Sequence, residues 1–248
     1  SEKLINVLNC GKGRIFYTVS GAESIENALK MLRSQTGKHL IAARQESYHG
    51  ATLGALSVTG DWRHQGHYVL DNGTLRIPEP HDDPYALKTR EIIKQTGAEK
   101  IAGFCLETIT GGNGAIIPPQ SWWEGIQQIC DDFGLGLILD EVVCGFYRTG
   151  KAFGFHHYNL KPDFICLSKS MTGGHVPFGA VWVKESWAET YDHEVLSCGL
   201  TNYAHPLGLA CTEAVLELIK DKAFCENRLQ LEKLLAGFCS KLKSLGQT

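Results

Sequence analysis

The sequence predicts an α/β fold in which helices cover both faces of a mostly parallel sheet. Short apolar runs of the length of buried strands alternate along the chain with longer stretches of helical spacing. Repeated strand–helix units of this kind typically form a parallel sheet between two layers of helices. The 248 residues are 43% apolar and contain no internal repeat or low-complexity linker, so one large domain over 1–248 is the simplest description.

The predicted elements follow one another in strand–helix order. In the helix predicted over Ser24–Gln35, helical spacing puts Ile25, Leu29 and Leu32 on one face. The segment Asp61–Pro84 concentrates Pro, His and Asp without a clear period, which predicts a surface loop. The predicted strands are Arg14–Val19, His39–Ala43, Ile101–Glu107, Leu135–Leu139 (followed by Asp140), Phe164–Leu167 and Ala180–Lys184. Further helices are predicted from Ala51–Leu56 and over Pro84–Thr96, Gln120–Phe133, Ser186–Tyr191, Pro206–Lys220 and Lys222–Leu245.

Charge and cysteine usage limit the classes of partner and compartment. The net charge is −3 and the basic residues are scattered, so nothing favours nucleic acid. Nine cysteines are an odd number without a CxxC pair, and most lie in apolar runs, which favours free thiols in a reducing cytoplasm. Neither a signal peptide nor a membrane-spanning apolar run is predicted from these residues. The chain starts at Ser1 without Met and stops directly after a helix, so we expect both ends to be truncated.

Two predicted strands end in groups whose chemistry complements one cofactor. The apolar run Leu135–Leu139 is followed by the carboxylate of Asp140, and the run Phe164–Leu167 is followed by Ser168 and Lys169. A cation after a strand is usually a surface group, but ligands bind at the carboxyl ends of strands in open α/β sheets. An Asp that faces a ring nitrogen and a Lys that forms a Schiff base are what pyridoxal phosphate requires. This pair predicts pyridoxal 5'-phosphate as the cofactor.

Two further segments offer groups for the same cofactor, each with a simpler reading beside it. Gly21 and Ala22 precede the helix that begins near Ser24, so their amides suit a phosphate, although an ordinary capped turn explains them equally well. Tyr48 lies in a loop and offers an aromatic face for a pyridine ring, although loop tyrosines are usually surface anchors.

Other chemistries find little support. The pairs His64 with His67 and His156 with His157 lack supporting ligands, so no metal site is expected. The chain contains no GxxxxGK[ST], no strand-linked GxGxxG and no G-x-S-x-G, which argues against nucleotide enzymes and serine hydrolases.

The motifs of this chain, taken together, resemble those of the class III (omega) aminotransferases, pyridoxal-phosphate enzymes of the aspartate-aminotransferase fold. The run from Asp140 to Gly150 is similar to the family's DEVxxGFxRTG, and Tyr48–Thr52 matches YHGAT. Three further matches occur in family order along nearly the whole chain: Ser20–Glu23 with SGxEA, Lys161–Lys169 with KPD…AKG, and Gly199–Pro206 with the late G-x-T…HP motif.

The resemblance implies a role for each matching residue. Lys169 would form the Schiff base and carry the proton, and Asp140 would pair with the ring nitrogen. Tyr48 would stack on one face of the ring and Val142 would pack on the other. The remaining implied contacts are phosphate binding by the amides of Gly21 and Ala22, phosphate binding by Thr201 at the neighbouring subunit's cofactor, and an acid, Glu107, near the substrate side. The active sites would thus be shared within a homodimer.

The sequence also departs from the family pattern. Ala22 stands where Ser or Thr is common, Thr108 where Pro is common, and Ser168 and Ser170 replace small residues around the lysine. The family's chains extend beyond both ends of this one, so an N-terminal segment and most of a C-terminal small domain are expected to be missing. No candidate stands out for the arginine that this small domain usually supplies to the substrate carboxylate.

The implied reaction is a ping-pong transamination from an amine or ω-amino acid to a 2-oxo acid, with pyruvate favoured over 2-oxoglutarate. Two alternatives remain open at this point. One is an aminomutase or decarboxylase on the same fold, which product identity would distinguish. The other is a truncated, non-catalytic chain that dimerises or binds a partner, which the intact pair of Lys169 and Asp140 argues against.

Overall fold

A single mixed sheet forms the centre of the computed structural model, which describes residues 1–66 and 73–246. Its strands among these residues are β1 (Gly13–Thr18), β2 (Leu40–Arg44), β3 (Thr74–Ile77), β4 (Ile101–Glu107), β5 (Gly136–Asp140), β6 (Phe164–Leu167) and β7 (Gly179–Lys184). They lie in the order β1-β7-β6-β5-β4-β2-β3. The strands from β2 to β6 pair in parallel, and β7 runs antiparallel to both β1 and β6. The predicted fold class, an α/β protein with a mostly parallel sheet, is confirmed.

Helices cover both faces of this sheet, as the strand–helix alternation predicts. In the described part of the chain they are α1 (Glu2–Leu8), α2 (Gly21–Thr36), α3 (Leu53–Val58), α4 (Leu87–Thr96), α5 (Gln120–Phe133), α6 (Glu185–Ala188), α7 (Pro206–Leu218) and α8 (Lys222–Ser244). Side chains alternate between the faces of a strand, so Leu137 and Leu139 join one core layer and Ile138 the other. The first layer receives α1, α4, α5 and α7, and the second receives α2, α3 and α6. None of the helices described is long and apolar enough to cross a membrane.

Among the described elements, the strand β3 and the helix α1 were not predicted from the sequence. The loop predicted over Asp61–Pro84 contains a short helical turn at Trp62–His64 and the strand β3, and residues 67–72 of it lie outside the described part. The strand β3 was missed because it is a four-residue edge strand that pairs with β2 alone and keeps three of its residues partly exposed. The helix α1 was missed because its seven residues are too few for a reliable helical period.

The register of the central strands determines which side chains meet at one edge. Glu107 pairs with Asp140 across β4 and β5, and Asp140 pairs with Cys166 across β5 and β6. Lys169 follows the end of β6 by two residues. Three side chains therefore lie side by side at the carboxyl edge of the sheet: Glu107, Asp140 and Lys169. Ligands bind at this edge in folds of this class.

Candidate active site

Asp140 is a buried carboxylate whose two oxygens are both engaged. The backbone amide of Val142 donates to Oδ1 at 3.0 Å, and Nδ1 of His49 lies 2.8 Å from Oδ2. Burial alone would lower the pKa of His49, but Cys105 and the Asp140 carboxylate oppose burial and hold that pKa well above its usual value. His49 is therefore a cation that pairs with the Asp140 carboxylate and fixes its orientation. The Nε2 atom of His49 is buried and has no hydrogen-bond partner.

Lys169 begins a short helical turn directly after β6 and is solvent-exposed. Its φ angle of 47° is in the left-handed region, which a lysine adopts only at a cost of about 1 kcal/mol or more. The turn is held by hydrogen bonds on both sides of the lysine. The Ser168 hydroxyl donates to the carbonyl of Phe178 at 2.7 Å, and the amide of Gly174 donates to the carbonyl of Lys169 at 3.2 Å.

The N-terminus of α2 approaches the same edge of the sheet. The Ser20 hydroxyl caps the helix by accepting from the amide of Glu23 at 3.2 Å, and Ser24 donates to the carbonyl of Leu167 at 3.2 Å. A Cβ atom on Gly21 would come within 2.9 Å of a Val142 methyl group, so glycine permits this approach. The positive end of a 16-residue helix is thus packed beside the turn of Lys169.

The loop that carries Tyr48 is attached to both α2 and α3. The amide of His49 donates to the Thr59 hydroxyl at 2.9 Å, directly after α3. Gly50 has a φ of 138°, and a Cβ atom there would lie only 2.7 Å from the Cβ atom of Ala22. The backbone that follows Tyr48 is therefore held by a hydrogen bond at His49 and by a contact at Gly50 that leaves no room for a side chain.

Glu107 presents a carboxyl group to the same region from the end of β4. Burial, together with the charge of Asp140, raises the pKa of Glu107 to about 7, although His49 and Arg44 partly oppose this effect. The buried guanidinium of Arg44 lies 3.7 Å from Oε2 and also donates to Glu79 at 3.0 Å and to the Thr110 hydroxyl. The Oε2 atom itself is buried without a hydrogen-bond partner.

Glu141, the residue after Asp140, has a structural role instead. It is fully buried and accepts hydrogen bonds from the Thr108 hydroxyl and, at 2.8 Å each, from the amides of Gly154 and Phe155. Burial is the main reason that its pKa rises to about 7. All three donors bind the carboxylate, which ties the segment after β4 to the turn at Gly154–His157.

A cavity of about 270 Å³ brings most of the predicted site residues together. Seven of the eight line it, namely Gly21, Ala22, Tyr48, Glu107, Asp140, Val142 and Lys169. His49, Ile109, Val143 and Ser168, which the sequence did not single out as ligands, are also in the lining. The position of His49 beside Tyr48 was a usable signal, whereas its contact with Asp140 depends on long-range packing. Arg44, at the carboxyl end of β2, was identifiable by the strand-end argument that found Asp140.

Thr201 is the predicted residue that does not line this cavity. It is exposed, in the segment between α6 and α7, where the ring of Tyr203 stacks on Phe16 of β1 at 6.0 Å. Its role at a neighbouring subunit's cofactor stays a prediction. Within the described residues no three His, Cys, Asp or Glu side chains form a metal-binding group, and His67 lies outside those residues.

The lining of the cavity fits pyridoxal phosphate. A carboxylate oriented by His49 suits a protonated ring nitrogen, an exposed lysine suits an aldehyde, and a helix N-terminus suits a phosphate. The buried Oε2 atom of Glu107, which has no hydrogen-bond partner, is a feature expected beside a bound group. Fold and cavity together are those of the α/β enzymes that carry pyridoxal phosphate.

Comparison with known proteins identifies the family within this class. The family model described as aminotransferase class III matches residues 1–247. The chain is 30% identical to Gamma aminobutyrate transaminase 2 of Solanum lycopersicum and 30% identical to the taurine–pyruvate aminotransferase of Rhodobacter capsulatus, in each case over 91% of this chain and 55% of the relative. A crystal structure of taurine:2-oxoglutarate aminotransferase from Bifidobacterium kashiwanohense, in complex with PLP and glutamate, superposes with a TM-score of 0.91 at 32% identity. That match covers 97% of this chain and 58% of the other.

The chain therefore belongs to the class III aminotransferases. It spans little more than half the length of the relatives it matches, at 55% of the two curated proteins.

Proposed function

We propose that this chain is the cofactor-binding part of a pyridoxal-phosphate-dependent transaminase that acts as a homodimer in the cytoplasm. It would transfer an amino group from an amine or ω-amino acid to a 2-oxo acid, with pyruvate favoured, by a ping-pong mechanism. The observation that carries the proposal is a single cavity lined by a carboxylate held at β5, the lysine after β6 and the first residues of α2. Nine free cysteines, all in the described residues, support a reducing compartment.

The residues that would hold the cofactor are the seven predicted ones in the cavity. The amides of Gly21 and Ala22 would bind the phosphate, Tyr48 and Val142 would enclose the ring, and Asp140 would pair with its nitrogen. Once bound, pyridoxal phosphate supplies an electron sink for the substrate α-carbon.

The chain's own groups supply the charge control and the proton transfer. Asp140, held by His49 at 2.8 Å, would stabilise positive charge at a ring nitrogen. Lys169 is the exposed amine in this lining, and it would take a proton at Nζ from one carbon and return it at another, which is general acid–base catalysis. Val142, Val143 and Ile109 add apolar surface to the lining of the cavity.

Cofactor trapping tests the proposal. Purified protein should take up pyridoxal phosphate, turn yellow and, after borohydride reduction, carry the cofactor on the peptide that contains Lys169. The Lys169→Ala variant should lose both the covalent label and transamination while its oligomeric state is unchanged. Colourless wild-type protein that takes up no cofactor, or a half-reaction retained by Lys169→Ala, would contradict the assignment.

The donor and acceptor are proposals that a screen would resolve. The relatives named above include a taurine–pyruvate aminotransferase and a γ-aminobutyrate transaminase, which supports ω-amino acid donors. A panel of amines and ω-amino acids with pyruvate or 2-oxoglutarate should give the fastest turnover with pyruvate. Faster turnover with 2-oxoglutarate for every donor would reject that preference.

A mixing experiment tests the shared active site. If Thr201 serves the neighbouring subunit's cofactor, co-expression of Lys169→Ala with Thr201→Ala should restore up to about half of a normal site per dimer, because both defects then fall in one site of each mixed dimer and leave its other site intact. No recovery above the two parent variants would argue against this arrangement.

A further inference from the structure

Arg63 lies between two aromatic rings beside the loop of Tyr48. Its guanidinium carbon is 4.6 Å from the centroid of the Tyr48 ring and 4.7 Å from that of Trp62. Its Nη1 atom pairs with the carboxylate of Asp61, which also accepts from the Arg63 amide at 2.8 Å. Such a guanidinium, stacked on rings and held by a carboxylate, has a fixed position.

The segment that carries Arg63 is anchored to the backbone on both sides of Tyr48. The amides of Gly60 and Asp61 donate to the carbonyl of Ser47 at 3.1 and 3.4 Å. On the other side, the amide of His49 donates to the Thr59 hydroxyl at 2.9 Å. The residues before and after Tyr48 are thus bound to the same stretch that places Arg63 on the tyrosine ring.

The cavity and the guanidinium contact different parts of this ring. Tyr48 lines the 270 Å³ cavity, whereas Arg63 does not. Arg63 therefore covers the Tyr48 ring from a position outside the cavity lining. Its charge is already compensated by Asp61, whose side chain is 4% exposed, so Arg63 is poorly suited to bind a substrate carboxylate.

We propose that Arg63 is a positioning residue, which fixes the plane of the Tyr48 ring from outside the cavity so that the inner face is ready to stack on the cofactor. The inference rests on the proposed function, because it assigns Arg63 a purpose only if Tyr48 meets a pyridine ring. Preorganisation of this kind improves affinity because the tyrosine does not lose rotamer freedom when the cofactor binds.

The variants Arg63→Met and Arg63→Lys test the proposal in the reconstituted protein. Arg63→Met keeps a long side chain without charge, and should weaken pyridoxal phosphate binding roughly three- to tenfold, the factor that a cation–π contact of ordinary strength supplies. The visible circular dichroism of the bound cofactor should also decrease, since this signal depends on how the ring is oriented by its neighbours. Arg63→Lys should restore part of both signals because an ammonium also interacts with a ring face.

A second pair of variants separates this role from a general effect on the fold. Arg90 stacks on Phe133 at 5.6 Å and pairs with Asp132 at 2.7 Å, away from the cavity, so Arg90→Met removes a similar contact and should change neither signal. In a Tyr48→Leu background, Arg63→Met should have less than about a twofold further effect, because its partner ring is gone.

The outcomes distinguish the two proposals. If the wild type takes up cofactor and Arg63→Met shows the same affinity and the same dichroism, the role of Arg63 is overturned and the proposed function stands. An undiminished effect in the Tyr48→Leu background would overturn it as well. Wild-type protein that takes up no pyridoxal phosphate would overturn the proposed function and this inference with it. Arg63→Lys, with its charge retained, provides the comparison if Arg63→Met folds poorly, and thermal melting of each variant checks this.

Discussion

Replacement of Glu107 by glutamine should make the protein more stable at alkaline pH. The pKa of Glu107 rises from an ordinary 4.5 to about 7 in the folded chain, because burial beside Asp140 disfavours its charge. Between these two values the folded state binds a proton that the unfolded state has released. Stability therefore decreases as the pH rises through this window, and the loss is complete above the folded pKa.

The size of this effect follows from the shift itself. Each unit of pKa corresponds to about 1.4 kcal/mol, so the rise in the pKa of Glu107 can lower the free energy of unfolding above pH 7 by at most about 3 kcal/mol. The nearby cations Arg44 and His49 are already reflected in the shift, so a measured difference of about 1–3 kcal/mol is expected. The Glu107→Gln variant keeps the shape of the side chain and cannot ionise.

Denaturant unfolding of the cofactor-free protein at about pH 5 and about pH 8 measures this difference. A fixed protein concentration is needed because subunit association would change the apparent stability. Wild-type protein should lose more unfolding free energy between the two pH values than Glu107→Gln, whereas Glu213→Gln, at an exposed ion pair with Lys3, should follow the wild type. Parallel pH dependence in wild type and Glu107→Gln would refute the argument from burial.

Substitutions at three further positions test individual contacts and backbone strain. Gly21→Ala should cost about 1–3 kcal/mol and weaken cofactor uptake in a spectrophotometric titration, since the new Cβ atom meets Val142 at 2.9 Å; unchanged uptake would count against this contact. Tyr147 has a φ of 67°, which glycine adopts without strain. The free energy of unfolding in urea should therefore be about 1 kcal/mol higher for Tyr147→Gly than for Tyr147→Ala, and equal values would argue against strain. Glu141→Ala should lower the free energy of unfolding by about 2–4 kcal/mol, because three buried donors lose their acceptor. Of these variants it should show the largest decrease in melting temperature.

The parts of the fold that the sequence predicts are those governed by local patterns. The bounds of α5, β4 and β6 agree with the prediction, because apolar spacing and flanking Pro or Gly are visible within each segment. Asp140 and Lys169 were identified because a charged group at the end of a buried strand is a local anomaly. These features need no knowledge of what packs against them.

Long-range pairing accounts for what the sequence did not predict. The contact between His49 and Asp140 joins residues 91 positions apart, and that between Arg44 and Glu79 joins residues 35 positions apart. Both depend on strand order and register, which apolar spacing leaves undetermined. The left-handed backbone at Phe146 and Tyr147 was also not predicted, because such conformations are set by the surrounding packing in non-glycine residues.

Stability and the proposed chemistry favour different residues at position 169, because the backbone of Lys169 is left-handed. A glycine there would adopt the φ of 47° without penalty, so folding alone favours a residue with no side chain. A chain that retains lysine does so against its own thermodynamic preference. Lys169→Gly should therefore be more stable than Lys169→Ala by about 1 kcal/mol in urea unfolding, and equal stability would mean that the backbone is unstrained. Stability engineering guided only by unfolding free energy would replace the one amine on which the proposed chemistry depends.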